Sequence, residues 1–224
     1  MNTRMYENPI TQDNLNILRK YGFTVIEPSS GYLACGDTGA GKFPDPEVIL
    51  EYVYQELEYA KDMVGLHVLV TAGPTQESID PVRYITNHST GKMGYALAQN
   101  AARRGATVTL VTGPTALKPP AFVDVVPITT AQEMFEAVAS RSEQQEILVK
   151  AAAVADYRPA LVHEEKMKKQ DSDCSLALER TTDILQYLGE HRRPGQFLCG
   201  FSMETQNMLE NSRKKLAKKH ADMI

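Results

Sequence analysis

The spacing of apolar residues changes along the chain and divides it in two. From Asn8 to Lys20, Ile10, Leu15 and Leu18 fall at helical spacing behind Asn8-Pro9, which predicts a helix with its start signal. Thr24-Val25-Ile26 predicts a short strand, and a glycine-rich loop follows it. Val48, Ile49, Val53 and Leu57 then mark a second helix running toward Asp62. Residues 1–65 hold too few apolar side chains to bury much of a core alone, so they read as the tail of something larger.

At Leu66 the pattern becomes short apolar runs alternating with amphipathic stretches. Residues 67–71, 107–111, 122–128, 146–154 and 196–200 predict strands, while 93–104, 131–140, 183–191 and 209–220 predict helices between most of them. Residues 66–224 should therefore form an α/β, Rossmann-like parallel sheet with helices on both faces. Such a sheet binds its ligand at the carboxyl ends of the strands. Asp222-Met223-Ile224 reads as the opening of a further strand, and both chain ends read as cut.

The 224 residues carry a formal net charge of -4, which argues against a general nucleic-acid binder because those show a basic footprint. Cys35, Cys174 and Cys199 are odd in number and lack C-x-x-C spacing, so neither a disulfide framework nor a zinc site is indicated. A reducing, cytoplasmic setting fits that usage. No apolar run approaches the about 18 residues of a membrane-spanning helix, and no signal-peptide core is present. No membrane partner is expected.

Gly36-Asp37-Thr38-Gly39-Ala40-Gly41-Lys42 matches the first seven letters of a phosphate-binding P-loop. The match fails at the next position, where Phe43-Pro44 replaces the hydroxyl residue and the helix start that Mg²⁺ and phosphates require. Asp45-Pro46 opens the next helix too late for a P-loop. These glycines need another explanation.

The longest strand-to-helix connection, Thr71 to Gly94, holds most of the polar groups that could converge on a ligand. Gly91 and Gly94 allow close backbone approach at the positive end of a helix. Asn87, Ser89 and Thr90 offer neutral donors and Arg83 a bidentate one, a set suited to an anion or carboxylate. Helix capping by Ser89 or Thr90 with a structural Arg83 explains the same residues, and the pattern alone leaves both readings open. After the fourth strand, Ala151-Ala152-Ala153 lets a ligand lie against the backbone, and Asp156 is placed for ribose hydroxyls or a metal. Lys166, Lys168 and Lys169 form either a solvated loop or a reach toward phosphates. The stretches TTDIL and GFSMET occupy strand-to-helix joints where Phe201 could hold a base or sugar. Lys215 and Lys219 share one helical face, as either a polyphosphate contact or an exposed face. No histidine pair has metal-ligand spacing, and His88 alone lies in a candidate site.

AGPTQESIDPVRYITNHSTGKMG, AAAVADYRP, EKMKKQ and GFSMET, in this order and spacing, resemble the phosphopantothenate-cysteine ligase half of the bacterial bifunctional coenzyme A biosynthesis flavoprotein. The resemblance covers about residues 66 to 224. MNTRMYENP and ACGDTGAGK resemble the end of the other half, a flavodoxin-like, FMN-dependent phosphopantothenoylcysteine decarboxylase, with Tyr6 where that family has Trp. The resemblance implies that the glycines form a substrate flap, that Cys35 is the proton donor, and that Asn2 grips the substrate carboxylate. The decarboxylase histidine and most FMN-binding residues are absent, so no decarboxylation by this chain alone is expected.

For the ligase half, the resemblance implies activation of 4′-phosphopantothenate by CTP with Mg²⁺, then capture of the acyl-cytidylate by cysteine. It carries Asn87 and Arg83 to the carboxylate and intermediate, beside Ala153, Gly91 and Ser89, and Lys166 to the reacting phosphates. It places Asp156, Asp183, Ile184 and Phe201 around the nucleoside and Lys215 and Lys219 at the triphosphate. It also implies a homo-oligomer in the parent protein. Thr90 replaces the family's usual second serine, and the family's last strands and part of its dimer contact are expected beyond Ile224. A nucleotide-dependent reductase, a flavin electron carrier and a silent nucleotide-binding or assembly fragment are the rival readings; the missing G-x-G-x-x-G weighs against the first.

Overall fold

A strand whose residues are apolar in succession must be covered on both faces, and His67–Ala72 (β3) meets that condition: all but His67 are buried. In the computed structural model, which describes residues 1–169, 174–204 and 206–224, the chain divides into two compact units, Met1–Tyr59 and Ala60–Ile224.

The first unit contains α1 (Thr3–Tyr6), α2 (Pro9–Lys20), β1 (Ser29–Tyr32), β2 (Thr38–Lys42) and α3 (Pro46–Leu57). Asn8 caps α2 through its side chain, with Pro9 at the first turn, as the sequence requires. β1 and β2 pair antiparallel. Two expectations change here. Thr24-Val25-Ile26 is not a strand, and the glycine stretch is not wholly a loop, because Thr38–Lys42 is the second arm of a hairpin. Lys42 thus lies in an antiparallel strand rather than before a helix, which removes the P-loop geometry. Among the described hydrophobic side chains of this unit, Leu33 alone is buried, while Ile10, Tyr21, Phe43 and Leu57 stand exposed.

The second unit follows a repeated strand-helix order. Its main sheet contains β3, β6 (Thr107–Thr112), β7 (Val123–Pro127), β8 (Ile147–Lys150) and β11 (Phe197–Gly200), all parallel, in the spatial order β7-β6-β3-β8-β11. Counted along the chain this is 3-2-1-4-5, the order of a doubly wound dinucleotide-binding sheet, with its reversal between β3 and β8. Helix α4 (Lys92–Arg103) covers one face through Ala98, Ala101 and Ala102, packed with Val68, Val70 and Leu110. Helices α5 (Ala131–Ser142) and α6 (Ile184–His191) cover the other, where Met134, Val138, Ile184 and Leu188 meet Leu69, Leu148 and Leu198. Each such side chain, fully buried, contributes about 1.5–3 kcal/mol of transfer free energy. A capping box between Thr130 and Glu133 starts α5.

Two short pairs interrupt this pattern: β4 (Gln76–Ser78) with β5 (Tyr84–Thr86), and β9 (Tyr157–Pro159) with β10 (Leu178–Arg180). Helix α7 (Met208–Lys218) closes the unit, and Met223 then makes a parallel bridge to Cys199 outside β11. The strand expected over 146–154 ends at Lys150.

Candidate functional site

The end of β3 and the end of β8 face each other at the reversal of strand order, and the polar residues between them explain why β8 stops. Ala152 N donates to Thr71 Oγ1 at 3.1 Å, and Ala155 N donates to Thr75 Oγ1 at 3.0 Å. Ala153 N donates to Gly73 O at 2.9 Å. The AAAVAD backbone thereby leaves the ladder and is held by threonine hydroxyls and the loop after β3. Asn87 joins the same bond network: its Nδ2 donates to Ala153 O at 3.3 Å and to Val154 O at 3.0 Å. Asn87 and Ala153 are therefore neighbours. Both Asn87 donors are engaged by backbone, so the group it leaves for a ligand is the acceptor Oδ1.

Gly91 takes a left-handed φ of 76° at the start of α4, and its N–H donates to Ser89 Oγ at 3.3 Å. A Cβ on Gly94 would come within 2.5 Å of Ala72 Cβ, so α4 meets the end of β3 at a distance only glycine permits. The N-cap of α4 is Gly91 itself, with no side-chain cap bond, so Ser89 holds the residue before the helix and neither it nor Thr90 caps α4.

Arg83, by contrast, serves the structural reading. Its Nε and Nη2 donate to Asp80 Oδ2, and Nη2 donates to Met167 O at 2.9 Å. Asp80, buried at 2% exposure, accepts in addition from Val82 N, Arg83 N and Met167 N at 2.9, 2.8 and 3.1 Å. The Arg83 guanidinium and these backbone donors hold the Asp80 carboxyl far below the usual carboxylate range, and Asp80 in turn raises Arg83. One buried carboxylate thus links the loop carrying Arg83 to the loop carrying Lys166. Lys166, Lys168 and Lys169 are exposed, as is His88. Gln170 and Thr205, the final residues of two quoted motifs, lie outside the described residues.

Six of the expected nucleotide contacts line one cavity of about 410 Å³: Asp156, Asp183, Ile184, Phe201, Lys215 and Lys219. That volume suits a small-molecule ligand. Thr181 connects the segments beneath it, donating from N to Asp156 O at 3.1 Å and from Oγ1 to Ala155 O at 2.6 Å. Asp183 caps α6 through Gln186 N at 3.0 Å. Lys219 Nζ donates to Asp183 Oδ2 at 2.6 Å and to Gln186 Oε1 at 3.0 Å, and Lys215 Nζ donates to Ser202 Oγ at 3.3 Å. Burial opposes charge on Asp183, but the bonds from Lys219 and Gln186 outweigh it and lower its pKa. Lys166 is not among the cavity's lining residues.

Four residues escaped the sequence reading. Thr71 and Thr75 read as ordinary strand and loop positions, and Asp80 as a turn residue. Lys150 also lines the cavity; the available signal was a lysine ending an otherwise apolar strand.

In the first unit, Asn2 and Cys35 line one cleft of about 430 Å³ with Tyr32 and Lys42. Asn2 Oδ1 accepts from Met5 N at 2.9 Å, which caps α1, and Cys35 Sγ lies 3.8 Å from Asp37 Oδ2. Among the described residues no group of three His, Cys, Asp or Glu side chains converges as a metal site, and no helix is long and apolar enough to cross a membrane.

Together these features define a Rossmann-ordered α/β domain with a crevice at its switch point and a lysine-bearing cavity on the same sheet edge. Residues 63–224 match the family described as the DNA/pantothenate metabolism flavoprotein C-terminal domain, and the chain belongs to that family. Residues 1–58 match the family described as flavoprotein. A coenzyme A biosynthesis bifunctional protein CoaBC from Bacillus subtilis is 47% identical over 227 residues, covering 100% of this chain and 56% of the relative. The chain thus spans little more than half the length of that protein. The crystal structure of a CoaBC C-terminal domain, 47% identical, aligns with a TM-score of 0.66 over 73% of this chain and 78% of its own. A DNA/pantothenate metabolism flavoprotein from Streptococcus pneumoniae aligns with a TM-score of 0.63 at 28% identity, covering 71% of this chain and 81% of its own.

Proposed function

We propose that the second unit acts in coenzyme A biosynthesis as the phosphopantothenate-cysteine ligase part of a longer protein. The observation that carries this reading is the meeting, on one sheet edge, of a switch-point crevice and a cationic cavity of nucleotide size. The similarity to CoaBC proteins supports the same pathway.

A carboxylate is a poor electrophile, so joining it to an amine requires activation. In the proposed reaction a 4′-phosphopantothenate carboxylate oxygen attacks the α-phosphorus of CTP and pyrophosphate leaves. The cysteine amine then attacks the acyl carbon, and CMP leaves with the bonding electron pair. Preorganised charge and position supply most of the rate in such displacements. Asp156, Asp183, Ile184 and Phe201 would bind the nucleoside, with Lys215 and Lys219 toward its phosphates. Asn87, Gly91, Ser89 and Ala153 would bound the acyl group. Arg83 and Lys166 would act from loops joined by Asp80, Lys166 reaching the reacting phosphates. Mg²⁺ would neutralise triphosphate charge; Asp156 is the carboxylate best sited to assist it.

The first unit's cleft fits a different role. Asn2, Cys35 and Lys42 offer an amide, a thiol and a cation suited to a carboxylate-bearing substrate, but this set does not by itself make a flavin site. FMN and decarboxylation are proposed for a longer parent only, as is its ligase homo-oligomer.

The test is pyrophosphate release by this chain from CTP, with ATP in parallel, given Mg²⁺ and 4′-phosphopantothenate but no cysteine. Release with CTP, followed by CMP on adding cysteine, supports the reading. No release and no acyl-nucleotide in a chain shown to be folded would contradict it.

A further inference from the structure

The cavity between α6 and α7 contains a cation that its assigned residues leave unaccounted for. Lys150 is the last residue of β8, and its carbonyl accepts from Phe201 N at 3.1 Å. Alternation along the strand turns its side chain to the face of Leu148, which packs in the cluster containing Ile184 and Leu185. There it lines the cavity, partly withdrawn from solvent. Among the described residues no hydrogen bond or ion pair reaches its nitrogen.

The other cations lining the cavity differ: Arg180 and Lys218 are exposed to solvent, and Lys215 and Lys219 have partners. Lys219 is engaged by Asp183 and Gln186, and Lys215 by Ser202. Withdrawal from solvent pushes the Lys150 pKa down; attraction from Asp183 and Asp156 opposes that, and repulsion from Lys215 and Lys219 adds to it. A half-buried ammonium without a hydrogen-bonded counter-charge gives up part of its hydration for nothing in return, so its place in the cavity wall suits an anionic ligand.

We propose that Lys150 is a binding residue for the phosphate groups of the cavity's ligand, donating from the floor of the cleft while Lys215 and Lys219 act from α7. This rests on the nucleotide reading above and extends it. The ligand class is a nucleoside polyphosphate, with Lys150 recognising its phosphate oxygens and not its base. Binding supplies the counter-charge that the chain does not, through a charge-assisted hydrogen bond.

Equilibrium binding to the whole chain tests this with CTP, ATP, tripolyphosphate and cytidine against wild type, Lys150→Met and Lys150→Arg. Lys150→Met should weaken the nucleoside triphosphate and tripolyphosphate by about 10- to 100-fold, the range expected for a hydrogen bond to a charged group. It should leave any cytidine affinity unchanged, and Lys150→Arg should recover part of the loss. Thermal melting of unliganded Lys150→Met should be no lower than wild type, because methionine keeps the bulk and removes the charge. Unchanged triphosphate affinity in Lys150→Met would overturn the proposal and leave the nucleotide reading standing. So would a markedly lower melting temperature without ligand, which would make Lys150 a structural residue. Failure of wild type to bind any triphosphate would instead remove the nucleotide reading on which the proposal rests.

Discussion

Asn87 Nδ2 donates to the carbonyls of both Ala153 and Val154, and so joins the loop after β3 to the loop after β8 across the reversal of strand order. Asn87→Ala removes that tie and the acceptor beside it. Losing one preorganised group at a reacting site costs about 100- to 1,000-fold in rate, and pyrophosphate release from CTP should fall by that order. Asn87→Asp is the sharper comparison. It keeps the shape but sets an anion against two carbonyl oxygens, so it should be no more active than the alanine variant. Near-normal turnover in either would show that the contact is incidental.

Asp80 makes a second connection, between Arg83 and the backbone of Met167. Asp80→Asn leaves the volume unchanged but deprives Arg83 of its counter-charge. The lysine-rich segment at 166–169 should then open more often, and proteolysis of a locally opened segment tracks the population of the open form. Trypsin should cut there about tenfold faster or more, the scale set by loss of a hydrogen bond to a charged group. An unchanged cleavage rate would show that other contacts hold the two loops together.

The sequence revealed those elements whose burial imposes a period. β3 carries the run Val68-Leu69-Val70 and β6 is rich in Val, Leu and Thr because both faces are covered, and α4, α5 and α6 show the stripe that meets the sheet. The pairs β4–β5 and β9–β10 have three residues a side, too few to display an alternation. β1 and β2 consist largely of Ser, Gly and Thr, whose pairing depends on backbone and not on apolar pattern. The expected strand at Thr24-Val25-Ile26 failed in the opposite way: its residues are apolar, but no ladder partner receives them. Likewise β8 read too long because Ala151, Ala152, Ala153 and Val154 continue its apolar texture, while Ala152 N bonds to Thr71 instead of extending the ladder. Within the site, strand-edge position marked Asp156, Asp183 and Phe201 from the sequence. The burial of Asp80 and the half-burial of Lys150 depend on contacts made across the fold, which no local pattern contains.

Gly113, after β6, tests how closely the switch-point loops pack. A Cβ built there would lie 1.7 Å from Pro74 O, a backbone atom that cannot rotate away. Gly113→Ala must displace the loop after β3, and overpacking of this kind typically costs about 1–3 kcal/mol. Denaturant unfolding should show a loss of unfolding free energy of that size, read as a lower midpoint at unchanged slope, accompanied by weaker substrate binding because Pro74 also bridges to Ala153. A midpoint equal to wild type would show that the loop relaxes freely.

At the opposite end of the sheet, Glu146 should govern acid stability without touching the site. Its Oε2 accepts from His67 N at 2.8 Å, and its Oε1 accepts from Arg193 Nη2 at 2.5 Å. These bonds, the His67 backbone first and Arg193 next, lower its pKa to about 2 from an ordinary value of 4.5. A carboxyl depressed in the folded state binds protons more readily when unfolded, so its contribution is fully present above the unfolded pKa. That contribution is lost as pH falls from about 4.5 toward about 2. Glu146→Gln removes the titrating group, leaving His67 N with a neutral acceptor and Arg193 without its counter-charge. Melting temperature should therefore be lower in the variant at pH 7, and the gap between variant and wild type should narrow through that acid window. A gap that stayed constant down to pH about 2 would mean that Glu146 acts through shape alone.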